Sequence, residues 1–181
     1  MNSENTELSG ARPAPYIRPR ADHDLDACVH ALAAVHERDG YPVNWPERPG
    51  DWLAQPSPLA AWVAELDGRV AGHIGLSPGG TGDVAPGLWS ARAGVGPEAT
   101  AVVSRLFVAP EARGHGIGRL LLARAVDEAR ARGLHPVLDV VASDTAATAL
   151  YERMGWELLA EVEQEWEPRQ TVTLRCYAAG V

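Results

Sequence analysis

Residues 102–133 constrain the fold of this chain more than any other segment. They read VVSRLFVAPEARGHGIGRLLLARAVDEARARG, a strand-forming run followed by a glycine-rich turn and a long amphipathic run. We predict a strand over 100–108 and a helix that begins after the turn and ends at Gly133. The next apolar run, 136–141, predicts a parallel strand reached by a right-handed crossover. Helical spacing predicts a buried helix face of Leu120, Leu121, Ala125, Val126 and Ala129.

Three alternate glycines, Gly114, Gly116 and Gly118, lie where this helix begins. Glycine allows the positive φ angles and the close backbone approach that a bound anion requires. The first N–H groups of a helix have no partner within it and carry the positive end of its dipole. The turn therefore predicts a phosphate site.

Two other phosphate motifs do not fit this turn. The dinucleotide fingerprint G-x-G-x-x-G would need a glycine at Arg119 or at Leu121, depending on where the count begins. A nucleotide P-loop needs a lysine, and the chain contains none. A turn that served only as a helix entry would not explain three alternate glycines followed by an arginine.

These residues resemble the GCN5-related N-acetyltransferase superfamily, whose acetyl-CoA signature is Gln/Arg-x-x-Gly-x-Gly/Ala after a strand that often ends Val-x-Pro. Here Val108-Ala109-Pro110 precedes Arg113 to Gly118. A second family block, Asn-x-x-Ala-x-x-Leu-Tyr-x-x-x-Gly-Phe, has its counterpart further along the chain. The matching residues are Asp144, Ala147, Leu150, Tyr151, Gly155 and Trp156, with aspartate in place of asparagine and tryptophan in place of phenylalanine.

The resemblance implies an acetyl-CoA site and supplies its residues. The pyrophosphate is expected on the turn, and the pantetheine amides on the backbone of the preceding strand. The expected cofactor-binding residues are Leu106, Phe107, Val108, Arg113, Gly114, His115, Gly116, Ile117, Gly118, Arg119 and Asp144. Of these, His115 is expected to contribute its N–H rather than its imidazole. Asp144 has a second interpretation as a helix cap, which leaves its cofactor contact open.

Tyr151 is the candidate catalytic residue, because it occupies the position of the family's general acid and could protonate the departing thiolate. The alternative is that it fills the core against Trp156 or Phe107. A general base cannot be chosen from the sequence. Glu98, His73, Glu37 and His36 are the candidates, each with a packing or surface role as its alternative.

The expected fold class is α/β (α+β): one mixed, mostly antiparallel sheet with helices on both faces and, by resemblance, a splayed central strand pair. Residues 59–66 and 70–76 predict a hairpin around Asp67-Gly68. Residues 77–99 are rich in glycine and proline and predict a long loop, which we interpret as an acceptor-side lid carrying Trp89. With the segment 41–46, the first helix and the last hairpin, this loop is expected to form the acceptor pocket.

Composition sets limits on the partners. The formal net charge of -8 argues against nucleic acid. Two cysteines far apart give neither a disulfide framework nor a metal site, so no metal is expected. Without an apolar run of membrane-spanning length or a signal-peptide pattern, we expect no membrane partner and a cytoplasmic location. Residues 1–15 are expected to form a disordered tail, and residues 16–181 a single N-acetyltransferase domain.

The function implied by the resemblance is acetyl-CoA-dependent transfer of an acetyl group to a primary amine of a small molecule, by direct attack on the thioester. Two alternatives stay open: an enzyme that acetylates a protein or peptide, and a module that binds acyl-CoA without turnover. Whether the chain forms a homodimer is also left open.

Overall fold

A computed structural model describes residues 10–80 and 82–181. Its strands are β1 (Tyr16–Pro19), β2 (Ala60–Leu66), β3 (Arg69–Pro78), β4 (Thr100–Val108), β5 (His135–Val141), β6 (Glu157–Trp166) and β7 (Gln170–Ala178). Its helices are α1 (Leu25–Asp39), α2 (Pro49–Ala54), α3 (Val84–Ala93), α4 (Ile117–Ala131) and α5 (Thr145–Arg153). The predicted tail lies largely outside the described residues, and residues 10–15 reach β1 without regular structure.

All seven strands form one sheet in the order β1-β2-β3-β4-β5-β7-β6. Every neighbouring pair is antiparallel except β4 and β5, which are parallel and joined through α4. The predicted fold class, a mixed and mostly antiparallel sheet with helices, is therefore confirmed.

The central strands β4 and β5 separate soon after they meet. They pair only through Thr100–Val102 of β4 and His135–Val137 of β5. Beyond these residues β5 continues beside β7, while β4 continues beside β3 alone. The result is a gap that opens toward the C-terminal ends of both strands, where the glycine turn lies.

Helices cover both faces of the sheet. On one face α4 packs so closely that a Cβ atom on Gly72 would lie 3.0 Å from Ile117 and 3.1 Å from Leu121. On the other face α1 packs over β3 and β4 with α2 beside it, and α3 lies over β5 and β7. The buried face of α4 differs slightly from the prediction, because Leu120 is 42% exposed whereas Leu122 is fully buried.

The hairpin around Asp67-Gly68 is confirmed, since both turn residues have the positive φ angles of a type I′ turn (52° and 72°). The expectation of a long loop over 77–99 is wrong. The segment contains the end of β3, helix α3 and a three-residue 3-10 turn at Pro97–Ala99. Trp89 is also not free, because its ring stacks on His135 with the centroids 3.8 Å apart.

Helix α3 was missed because its first turn is stabilised from a distant strand. The carboxylate of Asp139, in β5, accepts hydrogen bonds from the backbone N–H groups of Val84 (2.9 Å) and Ala85 (3.0 Å). A carboxylate at a helix start satisfies unpaired donors and the helix dipole together. No local pattern in 77–99 can indicate this cap, since the capping residue comes more than fifty positions later.

We predict that Asp139→Ala destabilises the protein by about 1–3 kcal/mol, because two N–H groups of α3 lose their acceptor. Chemical denaturation measures this directly. Asp127→Ala, at an exposed position of α4, is the matched control and should leave the unfolding midpoint close to wild type. Equal midpoints for the two variants would contradict the capping role.

Candidate functional site

The glycine turn has the backbone geometry that the sequence indicated. Gly114 and Gly116 adopt positive φ angles of 86° and 73°, and neither has another atom within 4 Å of an added Cβ. Gly118 serves packing instead, because a Cβ there would lie 3.3 Å from a methyl group of Leu150 in α5. The turn is thus open to solvent on one side and held close to α5 on the other.

The other residues of the turn have distinct positions. The imidazole of His115 donates from Nδ1 to the carbonyl of Ala112 (3.0 Å), which turns the ring toward the protein. Arg113 is exposed and forms an ion pair with Asp39, at the end of α1. Ile117 is buried in the core and Arg119 is exposed. The unpaired N–H groups of the helix start thus lie between two exposed arginines in the sequence, Arg113 and Arg119, which suits a polyanion.

The predicted backbone site lies on the free edge of β4. Phe107 and Val108 pair with His73 and Gly72 of β3, whereas the edge that faces β5 has no strand partner beyond Val102. Leu106 has no counterpart in the β3 register. Backbone groups left unpaired in this way need another hydrogen-bonding partner, and an extended ligand can supply it.

A β-bulge at Arg105 and Leu106 interrupts the pairing of β4 with β3. Arg105 has a φ of 52°, which is unusual for a residue other than glycine or asparagine. Bulges re-aim backbone and side chains and often lie next to functional sites. The bulge directs the side chain of Arg105 toward α2, where its Nε donates to the carbonyl of Trp52 (2.7 Å).

His73 fixes this bulge from β3. Its Nε2 lies 3.0 Å from Nη1 of Arg20, which can only donate, so Nε2 accepts and the proton is on Nδ1. Nδ1 then donates to the carbonyl of Arg105 (2.8 Å). Burial lowers the pKa of His73 to about 4, so the ring is neutral at physiological pH.

The hydrogen bond from His73 also sets the direction of the next N–H group. In a planar trans peptide the C=O and the N–H point in opposite directions. Because the carbonyl of Arg105 points at His73, the N–H of Leu106 points away from it. This N–H belongs to the part of β4 that β5 has left.

Tyr151 lies on α5 and is only 6% exposed. Its ring contacts Trp156 and Tyr177, each with a centroid distance of 5.8 Å. Burial, followed by the charges of Tyr41, Asp144 and Tyr177, raises the pKa of its phenol, so the group is protonated at neutral pH. Within the described residues, the hydroxyl has no hydrogen-bond partner. It is also not fully enclosed, since the enclosed unpaired side-chain atoms there are Gln170 Oε1 and Arg175 Nε.

Asp144 caps α5, since its carboxylate accepts from the backbone N–H of Ala147 (3.1 Å). This is the capping role that the sequence left open for it.

Three residues that the motifs did not single out form a wall beside the gap. Tyr41 and Trp52 meet edge to face with ring centroids 6.4 Å apart, and the guanidinium carbon of Arg105 lies 4.5 Å from the centre of Trp52. We call Tyr41, Trp52 and Arg105 the acceptor wall. They come from the α1–α2 loop, α2 and β4, so no spacing in the sequence connects them.

A cavity of about 470 Å³ opens where the end of β5 lies beside the start of β7. Its lining includes Val43, Ser143, Gln170 and Thr173. The loop that carries Tyr41 also reaches the β6–β7 turn, where the side chain of Asn44 donates to the carbonyl of Glu167 (3.4 Å). The loop after α1 and the last hairpin are therefore in contact.

The general-base candidates are not brought together at the gap. Glu98 is exposed at the opposite end of β4, and Glu37 is exposed on α1. His36 donates to the carbonyl of Pro42 (2.8 Å) and packs against Trp45. Both ring nitrogens of His73 are occupied, as described above. Trp89, stacked on His135, lies at the end of β5 away from the gap.

Over residues 10–80 and 82–181, no three His, Cys, Asp or Glu side chains lie close enough together to hold a metal ion. In the same part of the chain, no helix is long and apolar enough to cross a membrane.

Comparison with known proteins gives consistent matches. The model of the acetyltransferase (GNAT) family matches residues 26–156. The "Probable N-acetyltransferase camello" of Xenopus tropicalis is 34% identical over 97 residues, which are 53% of this chain and 37% of that protein. The L-methionine sulfoximine/L-methionine sulfone acetyltransferase of Pseudomonas aeruginosa PAO1 is 35% identical over 60 residues, 33% of this chain and 35% of that protein. The matches thus span about a third of these relatives.

Among solved structures, the chain is similar to yncA from Salmonella typhimurium, which was solved with its cofactor acetyl-CoA. The TM-score is 0.65 with 22% sequence identity, over 91% of this chain and 92% of the other. At this identity the likeness establishes a shared fold.

We predict that the charge introduced by Gly116→Asp abolishes binding of acetyl-CoA to the turn. Gly116→Asn is the matched control, because asparagine tolerates a positive φ equally well and has nearly the same shape without the charge. The asparagine variant should keep most of the affinity, as measured by calorimetry. Equal affinities for the two variants would show that the phosphates bind elsewhere.

Proposed function

This chain belongs to the acetyltransferase (GNAT) family, and from that premise we propose that it transfers the acetyl group of acetyl-CoA to a primary amine of a small molecule. The observation that carries the proposal is the gap between β4 and β5, which ends at a glycine turn with positive-φ residues. It offers an unpaired backbone edge for an extended amide chain and unpaired helix N–H groups for its phosphates.

The residues of the turn fit acetyl-CoA in charge and shape. Arg113, Arg119 and the N–H groups of 114–119 would hold the pyrophosphate, and the free edge of β4 would hold the pantetheine amides. Acetyl-CoA supplies an acetyl thioester whose carbonyl carbon accepts the neutral amine nitrogen as the carbon–sulfur bond breaks. The nitrogen then releases one proton to water, and the departing sulfur gains one. The protein's tasks are then to polarise the carbonyl, to align the amine and to protonate the sulfur.

The N–H of Leu106 would polarise the carbonyl. It points away from His73 on the stretch of β4 that borders the gap. A donor that is already aligned where negative charge develops lowers the barrier without reorganising. In this proposal His73 is a positioning residue, because it acts through the peptide that it holds.

Tyr151 would protonate the sulfur. Its raised pKa keeps the proton on the phenol at neutral pH, and its hydroxyl has no competing hydrogen bond within the described chain. At neutral pH the phenol therefore still carries the proton that the departing thiolate needs.

Two considerations bear on the acceptor. The cavity of about 470 Å³ lined by Val43 and the start of β7 is in the size range of sites for small molecules. The Pseudomonas relative is named for acetylating L-methionine sulfoximine and L-methionine sulfone, which are small amines. Both favour a small molecule over a peptide, and the homology covers only part of that relative.

The proposal is tested by thiol release from acetyl-CoA over a panel of small primary amines and short peptides with free N-termini. Faster release with some small amines than with any peptide supports the proposal. Release with peptides alone would indicate a peptide acetyltransferase. Tight acetyl-CoA binding without release for any acceptor would indicate a binding module.

We predict that Tyr151→Phe lowers kcat by roughly a hundredfold or more while acetyl-CoA affinity is kept, because the acid is lost and the ring remains. Steady-state kinetics and calorimetry measure the two quantities. Tyr177→Phe is the matched control, since that hydroxyl bonds to Glu152 (2.9 Å). A kcat equal to that of the control would leave Tyr151 with a packing role alone.

We predict that two amide substitutions of His73 distinguish the role of its Nδ1 contact from that of its Nε2 contact. Asparagine can place an N–H near the position of Nδ1 and so keep the bond to the Arg105 carbonyl, whereas glutamine reaches the position of Nε2. We therefore expect the kcat of His73→Gln to be roughly tenfold or more below that of His73→Asn. The KM for acetyl-CoA should be similar in the two variants. The opposite order would mean that catalysis depends on the contact of His73 with Arg20 and not on its hydrogen bond to the Arg105 carbonyl.

A further inference from the structure

We propose that the acceptor amine also carries a carboxylate group and that Arg105 binds it. This inference rests on the proposed acetyl transfer and narrows its substrate to compact amino carboxylates, of which amino acids are the simplest. Its basis is the placement of one guanidinium group on the acceptor wall.

The guanidinium of Arg105 is held in one orientation. Its Nε donates to the carbonyl of Trp52 (2.7 Å) and its Nη1 to the hydroxyl of Ser104 (3.2 Å). The group lies over the ring of Trp52, with 4.5 Å between the guanidinium carbon and the ring centre. Its Nη2 has no hydrogen-bond partner within the described residues and is not a fully enclosed atom. A fixed guanidinium with one free edge is well suited to a carboxylate.

The charge of Arg105 has no counter-ion in contact. Over residues 10–80 and 82–181, no carboxylate oxygen lies within 4 Å of its nitrogens. Asp83 acts on Arg105 only from beyond that distance, and burial lowers the pKa of the guanidinium. A half-buried cation without a partner is unfavourable. An anionic ligand would remove the imbalance.

The backbone of Arg105 is strained in the conformation that places its side chain on the acceptor wall. A φ of 52° is disfavoured for any side chain with a Cβ, and glycine would occupy the same bulge at less cost. Strain of this kind often marks functional positions, where the side chain is needed despite the strain. Here the strained residue is the one that contributes its guanidinium to the acceptor wall.

The site of reaction is close to Arg105, which limits the size of the substrate. Arg105 directly precedes Leu106, whose N–H is the proposed donor to the thioester carbonyl. From the guanidinium, the wall continues through Trp52 to Tyr41, which lies near enough to Tyr151 to contribute to the raised pKa of that phenol. An acceptor lying along this wall can place its amine at the gap and its carboxylate on Arg105 only if few bonds separate them.

The kinetic test compares acceptors that differ only in charge: glycine, methionine and phenylalanine, each beside its carboxamide. In the wild type, kcat/KM should be roughly tenfold to a hundredfold higher for at least one acid than for its amide, the range expected for a charge-assisted pair. Arg105→Gln should remove this ratio, and Arg105→Lys should keep part of it. Arg92→Gln, at an exposed ion pair on α3, is the matched control and should keep the wild-type ratio.

A binding test makes the inference independent of turnover. Calorimetry in the presence of coenzyme A compares the N-acetylated acids with the corresponding N-acetyl amides. At least one acid should bind about tenfold more tightly than its amide in the wild type, and Arg105→Gln should abolish the difference. Equal binding of acid and amide, no binding of any acid, or an acid preference that survives Arg105→Gln would each overturn the inference.

The two tests also separate this inference from the proposed function. Acetylation of amines with no preference for acids overturns the role of Arg105 and leaves acetyl transfer standing. Absence of thiol release with every amine contradicts acetyl transfer, and the calorimetric comparison still decides whether Arg105 binds a carboxylate.

Discussion

Hydrogen bonding between β4 and β5 stops at Val102, and the rest of β4 has one backbone edge that no strand satisfies. A sheet interior does not normally leave such groups unpaired, so the free edge is available to an extended ligand. The result is a slot lined by backbone amides, with the start of α4 at its open end. Unpaired N–H groups at a helix start favour anions.

The β-bulge at Arg105 and Leu106 sets the directions of one side chain and one peptide group beside this slot. At Arg105 the chain gains one residue relative to β3, and the extra residue sends its side chain toward α2. His73 holds the carbonyl of the same residue on β3. The buried imidazole of His73 therefore orients the peptide between Arg105 and Leu106. The N–H of Leu106 belongs to this peptide, and the guanidinium of Arg105 extends from the same bulge.

The parts of the fold that the sequence predicted are those whose signals are local. The hairpin turn needs two positive φ angles, which Asp67-Gly68 supplies, and the turn before α4 needs glycines where the chain reverses. Helix α3 could not be predicted, because a glycine lies in its middle and its cap comes from Asp139. The acceptor wall was predictable only in part. The segment 41–46, which carries Tyr41, was expected at the acceptor pocket, but the contacts of Tyr41 and Arg105 with Trp52 arise only in the folded chain.

Asp139 connects features that otherwise look separate. It lies on β5, on the far side of the gap, and holds the start of α3 through two hydrogen bonds. In the middle of the same helix, Trp89 is stacked on His135, the first residue of β5. Helix α3 is thus attached to β5 at its first turn and again near its centre. We infer that a strand held at two points resists bending toward β4, so that a ligand finds the slot already open.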